Sequence, residues 1–288
     1  MPRVLLAIPF RGGSFENIAR QLARRLVGRY RFTIATLAEV EGGSRYDLAV
    51  VLFWPEETRL RARLGDGARF AYCVYDHVSW MGVRPELLRD ARFASVIIVG
   101  SPLLAEAVRA VMDAPVVLVC QDGVDLELFL PLPRPESFVV GWCGNQAAVQ
   151  DDHKGVRLIE AAAERVGVPL VVQDFASWIP QASMGEAFYR QISCYVCASE
   201  SEGTPNPVLE ALACGRPVIT TRVGITDQVV RHGENGLFVE RTASALAEAI
   251  AEVRGWPDRS QACRAAVEPH GWDAAAARWG DALERALA

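Results

Sequence analysis

Ser199-Glu200-Ser201-Glu202-Gly203-Thr204-Pro205-Asn206-Pro207-Val208-Leu209-Glu210-Ala211-Leu212-Ala213-Cys214-Gly215-Arg216-Pro217-Val218-Ile219 is the stretch that decides the fold. An apolar run ends just before it, a polar turn follows, a helix starts near Pro205 and Pro207, and a second apolar run follows Gly215. Strand, turn, helix and strand in that order make a βαβ unit. Proline is tolerated in a first helical turn because the N–H it lacks would have no partner there. On this reading the N–H groups of Gly203, Thr204, Asn206 and Val208 are free, and with the helix dipole they suit a phosphate. Gly203 lets a ligand approach the backbone closely. Glu202 precedes the helix and Glu210 lies a full turn inside it, so the two carboxylates reach two separated groups of one ligand, such as sugar hydroxyls. A capped helix with two solvated glutamates fits the same residues, and they leave both readings open.

Outward from this stretch the pattern repeats. Strand-sized apolar runs at 138–142, 169–173, 193–198, 217–220 and 237–239 alternate with helical patterns at 155–166, 207–213 and 243–253, and an Ala-rich helix closes the chain at 273–287. Upstream, strands are predicted at 4–9, 31–37, 48–54, 70–75, 96–99 and 116–119, with helices between several of them, such as 102–112. Phe15, Ile18, Ala19, Leu22 and Leu26 recur at helical spacing and put the neighbouring arginines on the other face. The fold class is therefore α/β, with two Rossmann-like doubly wound parallel sheets. Pro131-Leu132-Pro133-Arg134-Pro135 reads as a stiff, extended linker. It divides the chain into domains at 1–131 and 132–272, followed by the helix at 273–288. Two such domains leave a cleft at their strand carboxyl ends, where ligands bind in sheets of this kind. Trp272 and Trp279, seven apart, read either as anchors of the last helix or as plain core.

Composition excludes several classes. With 288 residues, 51% hydrophobic, 23% charged and a net charge of -5, the chain is neither disordered nor a nucleic-acid binder as a whole. No run approaches the roughly 18 uncharged apolar residues of a membrane span, and the opening apolar run is too short for a signal peptide. A cytoplasmic protein is expected. Seven cysteines without regular spacing are expected to be reduced thiols. Cys194 and Cys197 have CxxC spacing, but strand residues three apart point to opposite faces, and no second pair exists to complete a zinc site. Arg3, Arg11, Arg20, Arg24, Arg25, Arg29 and Arg31 stand against Glu16 near the start. They read as a solvated face, or alternatively as a patch for anionic lipid that would hold the chain peripherally at the inner membrane face. Of the 30 lysines and arginines only Lys154 is a lysine. Arg-rich composition explains the skew but not the position of the exception.

The residues from Glu202 through Glu210 to Ile219 resemble the E-x7-E signature of retaining GT-B glycosyltransferases of family 4. Other elements resemble that family in the same order. They are Arg11-Gly12-Gly13, Gln121-Asp122-Gly123-Val124-Asp125-Leu126 with Phe129 and Pro131, Lys154-Gly155-Val156 with Leu158-Ile159-Glu160-Ala161, and His232-Gly233-Glu234-Asn235-Gly236-Leu237. The resemblance is strong over 120–240 and weak before it. It implies a nucleoside diphosphate sugar, UDP- or GDP-linked, as donor, with no further cofactor and no metal. It implies Glu202 on donor-sugar hydroxyls, Glu210 on the ribose, the backbone of Gly203, Thr204, Pro205 and Asn206 around sugar and diphosphate, and Lys154 on the diphosphate. A lone ammonium suits charge that builds up on a leaving phosphate; a solvated helix-start lysine is the bland alternative. Gly13 would lie in the first loop near donor and acceptor. His77, after the strand at 70–75, would face the donor sugar, although a single His there is also compatible with a structural role.

Two departures stand out. Asn145 occupies the place where the family has a phosphate-binding Arg. The short run between Gln173 and Trp178 leaves no room for a helix and strand common in the family, and brings the Ile179 backbone towards the nucleobase. The last helix would cross back onto the first domain. The resemblance implies sugar transfer with retained configuration to a hydroxyl of a glycan, lipid-linked or small-molecule acceptor, by analogy in polysaccharide assembly. A nucleotide-sugar epimerase and a non-catalytic sugar-nucleotide-binding subunit are the alternatives. Donor sugar, base, acceptor and oligomeric state are not readable.

Overall fold

Along the first strand, Val4, Leu6 and Ile8 enter one apolar core while Leu5 and Ala7 enter another. Successive strand side chains point to opposite faces, so this strand is covered on both sides. A computed structural model describes residues 1–42, 45–53, 57–65, 67–75, 94–111, 116–145, 153–174, 177 and 179–288. Two compact units form, 1–122 with 272–288, and 123–271.

The first unit contains β1 (Arg3–Ile8), α1 (Ser14–Arg25), β2 (Arg31–Thr36), β3 (Leu48–Val51), α2 (Glu57–Leu64), β4 (Arg69–Val74), β5 (Val96–Val99), α3 (Pro102–Val111) and β6 (Val117–Val119). Its sheet is parallel in the order β2-β1-β3-β4-β5-β6. The second unit contains β7 (Val140–Gly144), α4 (Val156–Val166), β8 (Leu170–Asp174), α5 (Gln181–Ala187), β9 (Cys194–Cys197), α6 (Asn206–Ala213), β10 (Val218–Thr220), α7 (Thr226–Val229), β11 (Gly236–Phe238), α8 (Ala243–Arg254) and α9 (Ser260–Val267). Its parallel sheet runs β11-β10-β9-β7-β8. In each sheet the first strand lies between the second and the third, so the winding reverses there, and loops at such a switch point are where doubly wound sheets bind ligands.

The last helix, α10 (Trp272–Leu287), returns to the first unit. Trp272, Ala275, Ala276, Trp279, Ala282, Leu283 and Ala286 pack with Ile18, Leu22 and Leu26 of α1 and its flank. The Tyr30 hydroxyl donates to Gly280 O at 3.1 Å, and Arg25 and Arg29 meet Asp273 and Glu284 at 2.7 and 2.6 Å. Arg11 and Arg20 meet Glu16 at 3.0 and 2.7 Å. Four of the seven arginines near the start thus face carboxylates of their own unit.

The Pro-rich stretch is not a free linker. Leu132 N donates to Cys214 O, Arg216 donates to Pro133 O, and Arg134 donates to Trp256 O, all within the second unit. The chain passes between units at Asp122 and Gly123 instead. Beyond that point Val124 bridges Gly271, and Arg264 donates to Leu126 O and Phe129 O, which fixes this segment to the second unit. Cys194 and Cys197 lie on opposite faces of β9, in separate cores. A helix, α5, stands between β8 and β9, beyond the short run from Gln173 to Trp178; among the described residues no strand does. No helix among the described residues is long and apolar enough to cross a membrane.

Candidate functional site

The switch point of the second sheet lies between β7 and β9, and the predicted residues gather beyond the carboxyl ends of these strands. Asn145 follows β7 directly and is exposed. The turn after β9 carries Ser199 to Pro205 into α6. Lys154 stands in the turn before α4, where Gly155 takes a left-handed conformation, φ 69° and ψ 24°. A Cβ on Gly155 would lie 2.4 Å from Ala198 O, so only glycine lets this turn close against the end of β9. The Glu200 N–H donates to His153 O at 2.8 Å and ties the two turns together.

This closure brings Lys154 and Glu202 into contact. Lys154 Nζ lies 2.6 Å from Glu202 Oε1, and the Ser199 hydroxyl donates to the same oxygen at 2.7 Å. Both side chains keep some access to solvent, 27% for Lys154 and 16% for Glu202. Beside this pair, Arg241 donates to Ala198 O and pairs with Glu200 at 3.2 Å.

Glu210 is held differently. It lies inside α6, only 8% exposed. The Tyr189 hydroxyl donates to its Oε2 at 2.7 Å and the Gln181 amide to its Oε1 at 3.0 Å. Burial pushes its carboxyl up to about 7, against the pull of both donors towards the ionised form. The raised value carries a sign for stability. Folding favours the protonated carboxyl, so its contribution is complete below about 4.5 and is lost as pH rises through about 7. Glu210→Gln should therefore match the wild type near pH 4 and exceed it at pH 8, by on the order of 3 kcal/mol at most. Urea unfolding at the two pH values checks this; a wild-type pH slope retained in the variant would exclude Glu210 as its source.

The turn itself differs in one respect from the sequence reading. The Asn206 N–H donates to Thr204 O and the Val208 N–H to Pro205 O, both at 2.9 Å, so these two groups are not free for an anion. The two prolines tighten the chain here and turn those N–H groups inward. Gly203, Thr204 and Pro205 are buried. Gly224, at φ +57°, backs onto them, and a Cβ there would stand 2.3 Å from Gly203 O. Gly224→Ala should destabilise by about 2 kcal/mol or more through strain and collision, and weaken any ligand held by the 203–205 turn. Calorimetric melting reads the first effect, and an unchanged melting temperature would contradict it.

The other predicted residues are placed as follows. Ile179 is half-buried, just ahead of α5. His77 and Trp178 lie outside the described residues. Gly13 caps α1 in the first unit, and a Cβ there would meet the Phe10 ring at 2.4 Å. In the same loop the Gly12 N–H is taken by Glu16 Oε2 at 2.6 Å. Tyr189, Gln181 and Ser199 were not singled out by sequence. Tyr189 and Gln181 lie 21 and 29 residues from their partner, where no local motif announces them, whereas Ser199 stands three residues before its partner in the same stretch.

Residues 160–254 match the family model of glycosyl transferases group 1. Over 113 residues the chain is 34% identical to a D-inositol 3-phosphate glycosyltransferase from Thermobispora bispora, covering 38% of this chain and 26% of that protein. It is 41% identical over 68 residues to an uncharacterized glycosyltransferase from Methanocaldococcus jannaschii, covering 23% and 19%. The matched region thus spans about a quarter or less of the length of these relatives. Among solved structures, a sucrose-phosphate synthase from Thermosynechococcus elongatus superposes with a TM-score of 0.77 at 18% identity, covering 99% of each chain. HepE from Anabaena, in complex with UDP and glucose, superposes at 0.76 with 15% identity, covering 99% of this chain and 100% of that one. At these identities the likeness is one of fold, and the fold is GT-B.

Proposed function

We propose that the chain is a retaining glycosyltransferase that moves a sugar from a nucleoside diphosphate donor to a hydroxyl acceptor. One observation carries the reading: a lysine ammonium paired at 2.6 Å with Glu202, at the switch point of the second sheet and just ahead of the helix that holds a buried Glu210. On donor binding, Lys154 passes from Glu202 to the diphosphate. Glu202 then accepts from sugar hydroxyls, Glu210 from the ribose, and the 203–205 turn lies along the phosphates. As the bond from the anomeric carbon to the phosphate oxygen breaks, charge grows on the leaving diphosphate and Lys154 offsets it. The acceptor oxygen bonds to the same face of that carbon, and its proton goes to the departing phosphate. Holding both substrates in position supplies the rest of the rate. This scheme uses no metal ion.

HepE with UDP and glucose bound supports a nucleotide-sugar donor, and relatives named for D-inositol 3-phosphate guide the choice of acceptors in the assay. Purified protein is incubated with UDP-, GDP-, ADP- and TDP-sugars, alone and with glycan, polyol-phosphate and lipid-linked acceptors. A new glycoside with the donor's anomeric configuration by NMR is expected. An epimerised donor formed without acceptor would replace this reading with epimerisation. Asn145, where a phosphate-binding arginine was expected, favours a second reading of binding without turnover; donor bound but never consumed is its signature.

A further inference from the structure

Among the described residues, the polar groups that act on the Glu210 carboxylate are neutral. Tyr189 comes from the short 3-10 turn Tyr189–Gln191 and Gln181 from α5, while Cys143 from β7 and Cys214 from the end of α6 itself lie within reach of its charge; Tyr195 from β9 reaches Cys143 rather than the carboxylate. Tyr189 is fully buried, and its hydroxyl stands between Glu210 Oε2 at 2.7 Å and Cys143 Sγ at 3.9 Å. Tyr195 donates from behind to Cys143 O at 3.2 Å. Burial pushes the Cys143 thiol and both tyrosine hydroxyls well up, and the Cys214 thiol up to about 12, so none of them ionises near neutral pH. Among the described residues no cation counts among the groups that act on Glu210. Among the same residues one donor sits on each of its oxygens, which leaves each a second lone pair for a ligand.

Resting on the nucleotide-sugar reading above, we propose that Tyr189 and Gln181 are positioning residues which fix the Glu210 carboxylate for the vicinal diol of a ribose, and that diol binding is linked to release of a proton from Glu210. Two hydroxyl donors need two acceptor sites on a carboxylate. The protonated acid offers fewer acceptor sites and a donor in their place. Burial favours that protonated form in the unloaded protein. The ribose and the two protein donors together pull the group to its charged form, and the proton leaves to solvent. Tyr189 touches no ligand in this scheme and acts only through Glu210.

UDP and 2′-deoxy-UDP are titrated calorimetrically into wild type, Tyr189→Phe and Gln181→Leu between pH 5.5 and 8.5. The two nucleotides carry the same phosphates, so their difference isolates the diol. Wild-type affinity for UDP is expected to rise with pH up to about 7 and then level, with a weaker rise for 2′-deoxy-UDP. Tyr189→Phe should weaken UDP at pH 7 by roughly tenfold, the size of a hydrogen bond to a charged group, and move the midpoint to higher pH. Gln181→Leu, at a half-buried position that spares the core, should do the same to a smaller extent. The unloaded Glu210 carboxyl, followed by carbon NMR and identified with Glu210→Gln, should show the same upward move in Tyr189→Phe. UDP binding with an unmoved midpoint in both variants would overturn the positioning role. If Glu210 titrates and shifts as described but no nucleoside diphosphate binds, the nucleotide reading fails, and the diol assignment with it.

Discussion

Lys154→Ala is expected to lower sugar transfer at least about tenfold at saturating donor, the equivalent of about 1.4 kcal/mol of transition-state stabilisation. The side chain reaches its partner from a turn, not from a core, and is 27% exposed. Its removal leaves Glu202 with the Ser199 donor, so the melting temperature should change little. A small change in stability with a large change in rate is what separates a group acting on the leaving phosphate from a solvated helix-start lysine. Arginine at this position would keep the charge, but its planar fork does not replace a compact ammonium beside Glu202, so Lys154→Arg should restore only part of the rate. Turnover assays with both variants decide the point, and wild-type rates in Lys154→Ala would remove the residue from the site.

Trp279→Ala should destabilise the first unit by about 3–5 kcal/mol, the range for emptying a large buried aromatic site. Trp279 is fully buried in the core that joins α10 to α1 and the sheet. Its indole Nε1 has no hydrogen-bond partner among the described residues, so the contribution is packing. Trp279→Phe should therefore lose much less. Differential scanning calorimetry of the two variants tests this, and equal effects would mean that something other than filled volume is at stake. The last helix is 16 residues long and belongs by contact to a unit whose other segment runs from Met1 to Asp122, with the whole second unit intervening in sequence. A destabilised α10 should open the face of β1 that carries Val4, Leu6 and Ile8.

Much of this fold is legible in the sequence because parallel strands covered on both faces read as continuous apolar runs. The runs near 4–9 and 193–198 meet β1 and β9 to within two residues. Helices α2, α5, α7 and α9 were not read. They have four to eight residues, and α2 is rich in arginine, so neither length nor periodicity marks them. Three prolines in five residues gave the Pro-rich stretch the look of a linker. The Leu132 N–H is claimed by Cys214 O, the Pro133 carbonyl by Arg216 and the Arg134 side chain by Trp256 O, partners whose approach depends on tertiary structure. The site divides in the same way. Lys154, Glu202 and Glu210 stand in or next to motifs that fix their places on turn and helix. What holds them does not: Tyr189 and Gln181 reach Glu210 only once α5 and the 3-10 turn fold back beside α6.

Thermal shift with uridine, guanosine, adenosine and thymidine diphosphates and their sugars tests the central claim most directly, because a ligand of the native state raises its melting temperature. At least one diphosphate or its sugar should raise the melting temperature of the wild type at 100-fold excess over its dissociation constant, a gain of about 2.7 kcal/mol. The same ligand should raise it much less in Lys154→Ala. A panel in which no nucleotide stabilises the protein, or in which Lys154→Ala responds as the wild type does, would contradict a diphosphate site at the switch point of the second sheet.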